Sequence, residues 1–307
     1  MKAEHTSVLL QESIDLLDIQ PGKLYADATM GLGGHSAEIL ARGGRLIGID
    51  QDGQAVAHCR AKFADNPNVT IIHDNFFKIK SLLEKCGISQ LDGILADLGF
   101  SSMQMSDEQR GFSYQVDSPL DMRMSAQGAT AADAVNTLSE QALADILWRY
   151  ADEKFSRPIA RAIVRARAEK PITTTFQLAD LVRAAVPAAA RRDGHPARGT
   201  FQALRIHVNG ELDGLPQALD DLFDCLAPGG RLAVISFHSA EDRLVKQAFA
   251  KHLQGCVCPP GCPQCLCGRT PDGRRLGRPK TPSAEEIAAN PRARSAKLRG
   301  IQRISLT

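Results

Sequence analysis

A chain of 307 residues allows two domains at about 150 residues each and a sizeable core without disulfide staples. Hydrophobic residues make up 43%, charged residues 23%, and the formal net charge is +2, a composition that excludes collagen, coiled coil and disorder over most of the length. No apolar run reaches the roughly 18 residues of a membrane helix. Met1 to His5 is soon followed by Gln11, Glu12 and Asp15, so no signal peptide is read, and a cytoplasmic protein without a membrane partner is expected.

From Lys23 to Asp97 the pattern alternates strand and helix. Residues 24–28 read as a buried strand, followed by a Gly31-Leu32-Gly33-Gly34 turn and a short helix through Ala37, Ile39 and Leu40. Residues 45–49 read as a second strand closed by Asp50, 53–64 as a helix, 69–72 as a third strand, and 93–96 as a fourth ending at Asp97. Such βαβ units predict a mostly parallel sheet. Residues 99–119 read as a linking loop. From about 107 to 208 the chain is Ala- and Arg-rich with helical spacing. Helices are expected over 138–150, from Ser156 and Pro158 onward, and over 175–186. In the second of these, Phe155, Ile159, Ile163 and Ala166 share one side, while Arg157, Arg161 and Arg165 share the other. Strand signals return at 231–237, after a Pro228-Gly229-Gly230 turn, and at 299–306, with a helix over 241–252 between them. The expected arrangement is an α/β domain formed by 1–106 and 209–307, with a helical, basic substrate-recognition domain inserted over 107–208.

The near-neutral total hides an asymmetry. Residues 154–205 carry a net +8, residues 268–303 a net +7, and the rest of the chain −13. Two basic segments suggest a polyanionic partner such as nucleic acid. A solvated arginine face is the plain alternative.

The first turn carries the chemistry. Asp27-x-x-x-Gly31-x-Gly33-Gly34 joins a strand to a helix, where glycines admit a ligand to the backbone and the helix start offers free N–H groups. Asp50, at the end of the second strand, suits the two ribose hydroxyls of a nucleoside cofactor. A dinucleotide fingerprint G-x-G-x-x-G fails, because its sixth position is Ser36. S-adenosylmethionine (SAM), which lacks phosphates, tolerates this spacing. A purely structural turn stays open. Phe76 follows the third strand and can pack on an adenine face, or on the core as Phe77 can. Asp27, Asp50 and Asp97 all end strands and should converge on one crevice. Asp97-Leu98-Gly99-Phe100 resembles the Asp/Asn-Pro-Pro-Tyr/Phe segment of amino-directed nucleic-acid methyltransferases, without the prolines. An acceptor there orients a poorly nucleophilic exocyclic amine, and an aromatic can stack on an extruded base.

The motifs then come in an order that identifies a family. They are His5 to Leu10, Gly31 to His35, Asp97 to Gln104, Arg110 to Ser113, Pro119 to Met124, Phe201 to Arg205, Ser236 to Ser239 with Glu241 to Arg243, and Asn290 to Ser295. Together they resemble, nearly end to end, the bacterial RsmH (MraW) family of SAM-dependent 16S rRNA cytosine-N4 methyltransferases. Ala240 and Ser118 depart from the usual Leu and Gly. The resemblance implies a class I SAM-dependent methyltransferase fold, Rossmann-like, with an inserted helical domain. It implies SAM contacts at Gly33, Gly34, His35, Asp50, Phe76, Asp97 and Gln104. It implies N4-methylcytidine in the decoding region of 16S rRNA as product, with the small ribosomal subunit as partner and the chain a monomer or homodimer. Asp97 and Phe100 would act on the target base, and His238 is a candidate proton acceptor. Arg157, Arg161, Arg165, Arg191, Arg192 and Arg198 would meet rRNA phosphates, as would Arg269, Arg274, Arg275, Arg278, Arg292 and Arg294. A non-catalytic rRNA-binding assembly factor and a DNA amino-methyltransferase are the competing readings.

Eight cysteines fall in two groups. Cys59, Cys86 and Cys225 sit in apolar-periodic stretches and read as small core residues. Cys256, Cys258, Cys262, Cys265 and Cys267 crowd into twelve residues, with His252 nearby. Cys256, Cys258, Cys265 and Cys267 are candidate zinc ligands, against a free or redox-prone loop.

Overall fold

The computed structural model describes residues 7–99, 110–125, 127–191, 195–259, 264 and 266–305. Short apolar runs bounded by turns become β1 (Leu24–Asp27), β2 (Arg45–Asp50), β3 (Val69–His73), β4 (Leu91–Asp97), β5 (Leu226–Ser236), β6 (Gly273–Arg275) and β7 (Lys297–Arg303). They form one seven-stranded sheet in the order β3-β2-β1-β4-β5-β7-β6. The first five strands pair in parallel, and β7 runs antiparallel to β5 and β6. Described helices, in chain order, are α1 (Leu10–Leu17), α2 (Gly34–Ala41), α3 (Gly53–Lys62), α4 (Ile79–Lys85), α5 (Ala131–Thr137), α6 (Glu140–Ala151), α7 (Ser156–Glu169), α8 (Thr175–Ala185), α9 (Ala197–Asn209), α10 (Leu215–Asp224), α11 (Ser239–Leu253) and α12 (Ala284–Ala289). None is long and apolar enough to cross a membrane.

Contacts divide the chain into Met1–Gly99 with Gly214–Thr307, and Phe100–Asp213. The first unit holds the sheet. Its central strands are buried along nearly their whole length, as parallel strands covered on both faces must be. Leu9, Ile14 and Leu17 join Tyr25, Ile39, Leu46, Leu95, Ile235 and Leu298 in one apolar cluster. β1 pairs with β2 on one side and β4 on the other. The chain reverses its winding there, which leaves a crevice outside the strand C-termini.

Three differences from the expected elements have local causes. The turn at Pro228-Gly229-Gly230 lies inside β5, because pairing with β4 jumps from Leu91↔Leu226 to Gly93↔Arg231 across an irregularity. β6 has only three residues, Gly-Arg-Arg at the sheet edge, so it shows no apolar alternation to read. Cys86 is exposed rather than core, since it caps the C-terminus of α4, whereas Cys59 and Cys225 are buried.

The second unit is helical. Thr130 with Asp133 and Thr174 with Gln177 form capping boxes that start α5 and α8. Ser139 caps α6. Ser156 does not cap α7; it is the first helical residue and is buried, behind Phe155. Ile159 and Ile163 face inward, and Arg157, Arg161 and Arg165 are exposed. Residues 110–119 carry no helix or strand.

Leu95 lies fully buried in β4 within the main cluster. Leu95→Ala is expected to cost about 2–5 kcal/mol in urea unfolding, and a cost below about 1 kcal/mol would contradict this packing.

Candidate active site

The turn after β1 is tied to strands on both sides. Ala28 N–H donates to Leu95 O at 2.8 Å, and Met30 N–H donates to Ile49 O at 2.9 Å. Asp50 accepts from Gly31 N–H through Oδ2 at 2.7 Å and from Asp52 N–H through Oδ1 at 2.8 Å. The turn's carbonyls are met from α3: Cys59 Sγ donates to Gly31 O, and Lys62 Nζ donates to Leu32 O at 3.0 Å and Gly33 O at 2.9 Å. Gly33 takes φ 69°, and a Cβ there would stand 2.8 Å from the Phe63 ring. A Cβ on Gly34 would overlap Ser7 Oγ. Gly33 is therefore favoured by backbone and packing before any ligand is considered, whereas the contact at Gly34 is with a side-chain hydroxyl alone.

The three strand-end acids converge as expected. Asp27 is level with Gly48 of β2 and Leu95 of β4, so Asp50 and Asp97 each stand two residues further along on either side. Asp27 is 1% exposed and accepts from Ser36 Oγ at 2.7 Å and Thr29 N–H at 3.3 Å. Burial still pushes its carboxyl up to about 6. Asp97 donates its backbone N–H to Thr29 Oγ1 at 2.6 Å. Its Oδ1 is buried and accepts no hydrogen bond from any described residue. Burial, then the neighbouring Asp27 charge and the Glu241 charge, push Asp97 up to about 7 against the opposing Gly99 N–H. Burial also raises Asp50, against the two N–H groups it accepts. Glu241 is 1% exposed and accepts from Phe237 N–H at 2.7 Å and His238 N–H at 3.3 Å. The site thus concentrates acid where a cation would be stabilised and where one oxygen lacks a donor.

Other expected residues have structural partners. His35 is buried, with Nε2 3.1 Å from Val8 O. Phe76 is half-buried in a 3₁₀ turn, edge-on to Phe77 at 4.9 Å, and it is Phe77 that packs on Gly214. His238 caps α11: Nδ1 accepts Glu241 N–H at 3.3 Å, and Nε2 stands 3.0 Å from Glu241 Oε1. That capping box gives the ring a structural duty. Phe100 and Gln104 lie outside the described residues, as do Arg192, Cys262 and Cys265. Thr29, Ser36 and Lys62 were given no role by sequence, and Glu241 entered only within the family motifs. Only Glu241 had a readable signal, its capping spacing three residues after His238.

The arginines lie at the surface of their own units. Arg157, Arg161, Arg165, Arg191 and Arg198 are exposed in the helical unit, where Arg161 stands 3.5 Å from Glu140. Arg269, Arg274, Arg275, Arg278, Arg292 and Arg294 are exposed in the sheet unit. Cys256, Cys258 and Cys267 bring their sulfurs within 4.8 Å of one another.

The profile of the MraW methylase family matches residues 2–304. The chain belongs to this family. Three relatives carry the name ribosomal RNA small subunit methyltransferase H. That of Desulforapulum autotrophicum is 51% identical over 312 residues, covering 99% of this chain and all of the relative. That of Heliobacterium mobile is 50% identical over 314 residues, with 99% and 100% covered. That of a Paenibacillus species is 48% identical, with 98% and 99% covered. The sheet order, with β7 alone running against the direction of the other six strands, is the class I methyltransferase arrangement that the family resemblance implied.

Asp97 supplies a stability test with a definite sign. Folded, it keeps its proton to about pH 7; unfolded, it loses it near 3.8. Between those values the folded state binds more protons, so its contribution weakens as pH rises. Asp97→Asn is expected to stabilise the protein by about 2–4 kcal/mol at pH 8 and far less at pH 4. Urea titrations at both pH values check this, and destabilisation at pH 8 would contradict it.

Proposed function

We propose that this MraW methylase transfers a methyl group from S-adenosylmethionine to the exocyclic N4 of a cytidine in the decoding region of 16S rRNA, acting in the cytoplasm on the small ribosomal subunit. The observation that carries this reading is the buried Asp97 Oδ1, without a donor among the described residues, at the β1–β4 switch point. The small-subunit names of relatives at 48–51% identity support the substrate class.

The residues present fit SAM. Its ammonium and sulfonium are cationic, and buried Asp27 and Glu241, with half-buried Asp97 whose Oδ1 is enclosed, favour a cation in that crevice. Asp50 fixes Gly31 of the turn and keeps acceptor capacity for hydroxyl groups. When bound, SAM supplies an electrophilic methyl group. Asp97 Oδ1 accepts an N–H from the cytosine amine and turns its lone pair toward that methyl group. A cytosine N4 is a poor nucleophile because its lone pair is delocalised, so this orientation supplies much of the rate. Placed on that amine, the carboxylate is also positioned to take the proton that N4 loses. In the helical unit, Arg157, Arg161, Arg165 and Arg198 supply contacts to rRNA phosphates, as do Arg292 and Arg294 in the sheet unit. These contacts position the substrate and carry no sequence choice.

Labelled methyl transfer to small subunits, naked 16S rRNA and duplex DNA tests the reaction, with nucleosides identified by mass spectrometry. N4-methylcytidine from the small subunit is expected, and Asp97→Ala should lower the single-turnover rate by about 10²–10⁴-fold. Label confined to DNA would assign another substrate, and SAM binding with no label anywhere would assign a non-catalytic role. Replacing Arg157, Arg161 and Arg165 by Ala together should reduce the slope of log affinity against log salt by about two to three. An unchanged slope would remove that helix face from the RNA contact.

A further inference from the structure

Residues 254–272 join α11 to β6 without a helix or strand among those described. None of the described ones is buried. Val257 and Leu266, the large apolar side chains there, are 48% and 83% exposed. A connection this long with no apolar anchor among its described residues is unusual in a folded domain and calls for another means of ordering it. Cysteine is among the most buried residue types, yet Cys256 and Cys267 are exposed.

The three thiols nonetheless meet. Cys256, Cys258 and Cys267 place all their sulfurs within 4.8 Å of one another. Cys256 Sγ and Cys267 Sγ stand 3.7 Å apart. Zinc–sulfur bonds of about 2.3 Å in a tetrahedron place neighbouring sulfurs about 3.8 Å apart. Backbone N–H groups also point at the sulfurs: Leu266 at Cys258 Sγ (3.3 Å), Val257 at Cys267 Sγ (3.4 Å) and Cys258 at Cys256 Sγ (3.5 Å). Such donors stabilise the thiolate and orient it as a ligand. His252 is engaged elsewhere. Its ring stacks on Phe223 at 3.7 Å, Nδ1 lies 3.0 Å from Asp272 Oδ1, and Nε2 lies 4.0 Å from Asp220 Oδ1.

We propose that Cys256, Cys258 and Cys267 bind one Zn²⁺ as a structural site that folds the segment between α11 and β6. Each thiol loses its proton to solvent as its sulfur binds the metal, and no oxidation state changes. The site is a clip on the surface of the sheet unit, apart from the methyl-transfer chemistry.

The test uses untagged full-length protein, without RNA, so it is independent of the substrate reading. Elemental analysis should find about one zinc per chain, and replacement by Co²⁺ should give thiolate-to-metal charge transfer with tetrahedral d–d bands. Cys256→Ser, Cys258→Ser and Cys267→Ser should each lose the metal, whereas Cys86→Ser keeps it. The wild-type cobalt spectrum keeps the test valid if a variant fails to fold. Zinc below about 0.2 per chain with no cobalt charge transfer, or an intact mass showing a Cys256–Cys267 disulfide, would overturn the proposal.

Discussion

A carboxylate with one oxygen buried and without a donor is expensive to keep ionised, and among the described residues Asp97 Oδ1 finds none. Asp27 beside it is almost wholly inaccessible, and Glu241 adds a third negative charge to its surroundings. Much of the sheet's local construction serves to hold that arrangement. Thr29 fixes the Asp97 backbone, Ser36 holds Asp27, and Phe237 and His238 donate to Glu241. A core designed for stability alone would not gather three acids at the ends of neighbouring strands. A cationic ligand and an amine donor are what this cluster lacks.

Several residues expected to touch ligands also support one another. Asp50 receives two backbone N–H groups, His35 reaches Val8, and His238 caps α11. Gly33 is favoured by its positive φ and by the Phe63 ring against it. The glycine turn is thus stiffened from every side, with Lys62 and Cys59 holding its carbonyls. Rigid support of this kind keeps a reacting group in place without reorganisation. The same residues can be framework and binding surface, so substituting them tests both at once. Asp97 is the cleaner probe because its Oδ1 has no framework duty among the described residues.

The sheet was legible because buried parallel strands write themselves as short apolar runs, and an acid at the end of each run marks its C-terminal edge. Asp27, Asp50 and Asp97 could be placed together for that reason. β6 was not legible because three polar edge residues carry no period. Lys62 looked like an ordinary charge at a helix end, and its contact with Gly33 spans 29 residues of sequence. Thr29 likewise meets Asp97 across 68 residues. Local pattern cannot reveal such pairs. His238 shows a second duty: a histidine after a strand suggests a base, and the glutamate three residues on also makes it the cap of α11. Cys86 followed an apolar-looking stretch yet lies past the end of its helix.

The most direct test of the acid cluster is the proton released when SAM binds, measured by titration calorimetry near pH 6.5 in buffers of differing ionisation enthalpy. A cation seated beside Asp97 should drive its ionisation, so release approaching about half a proton or more is expected, falling sharply in Asp97→Asn. Binding with no proton release, or with release unchanged by that substitution, would contradict a site built around this carboxylate.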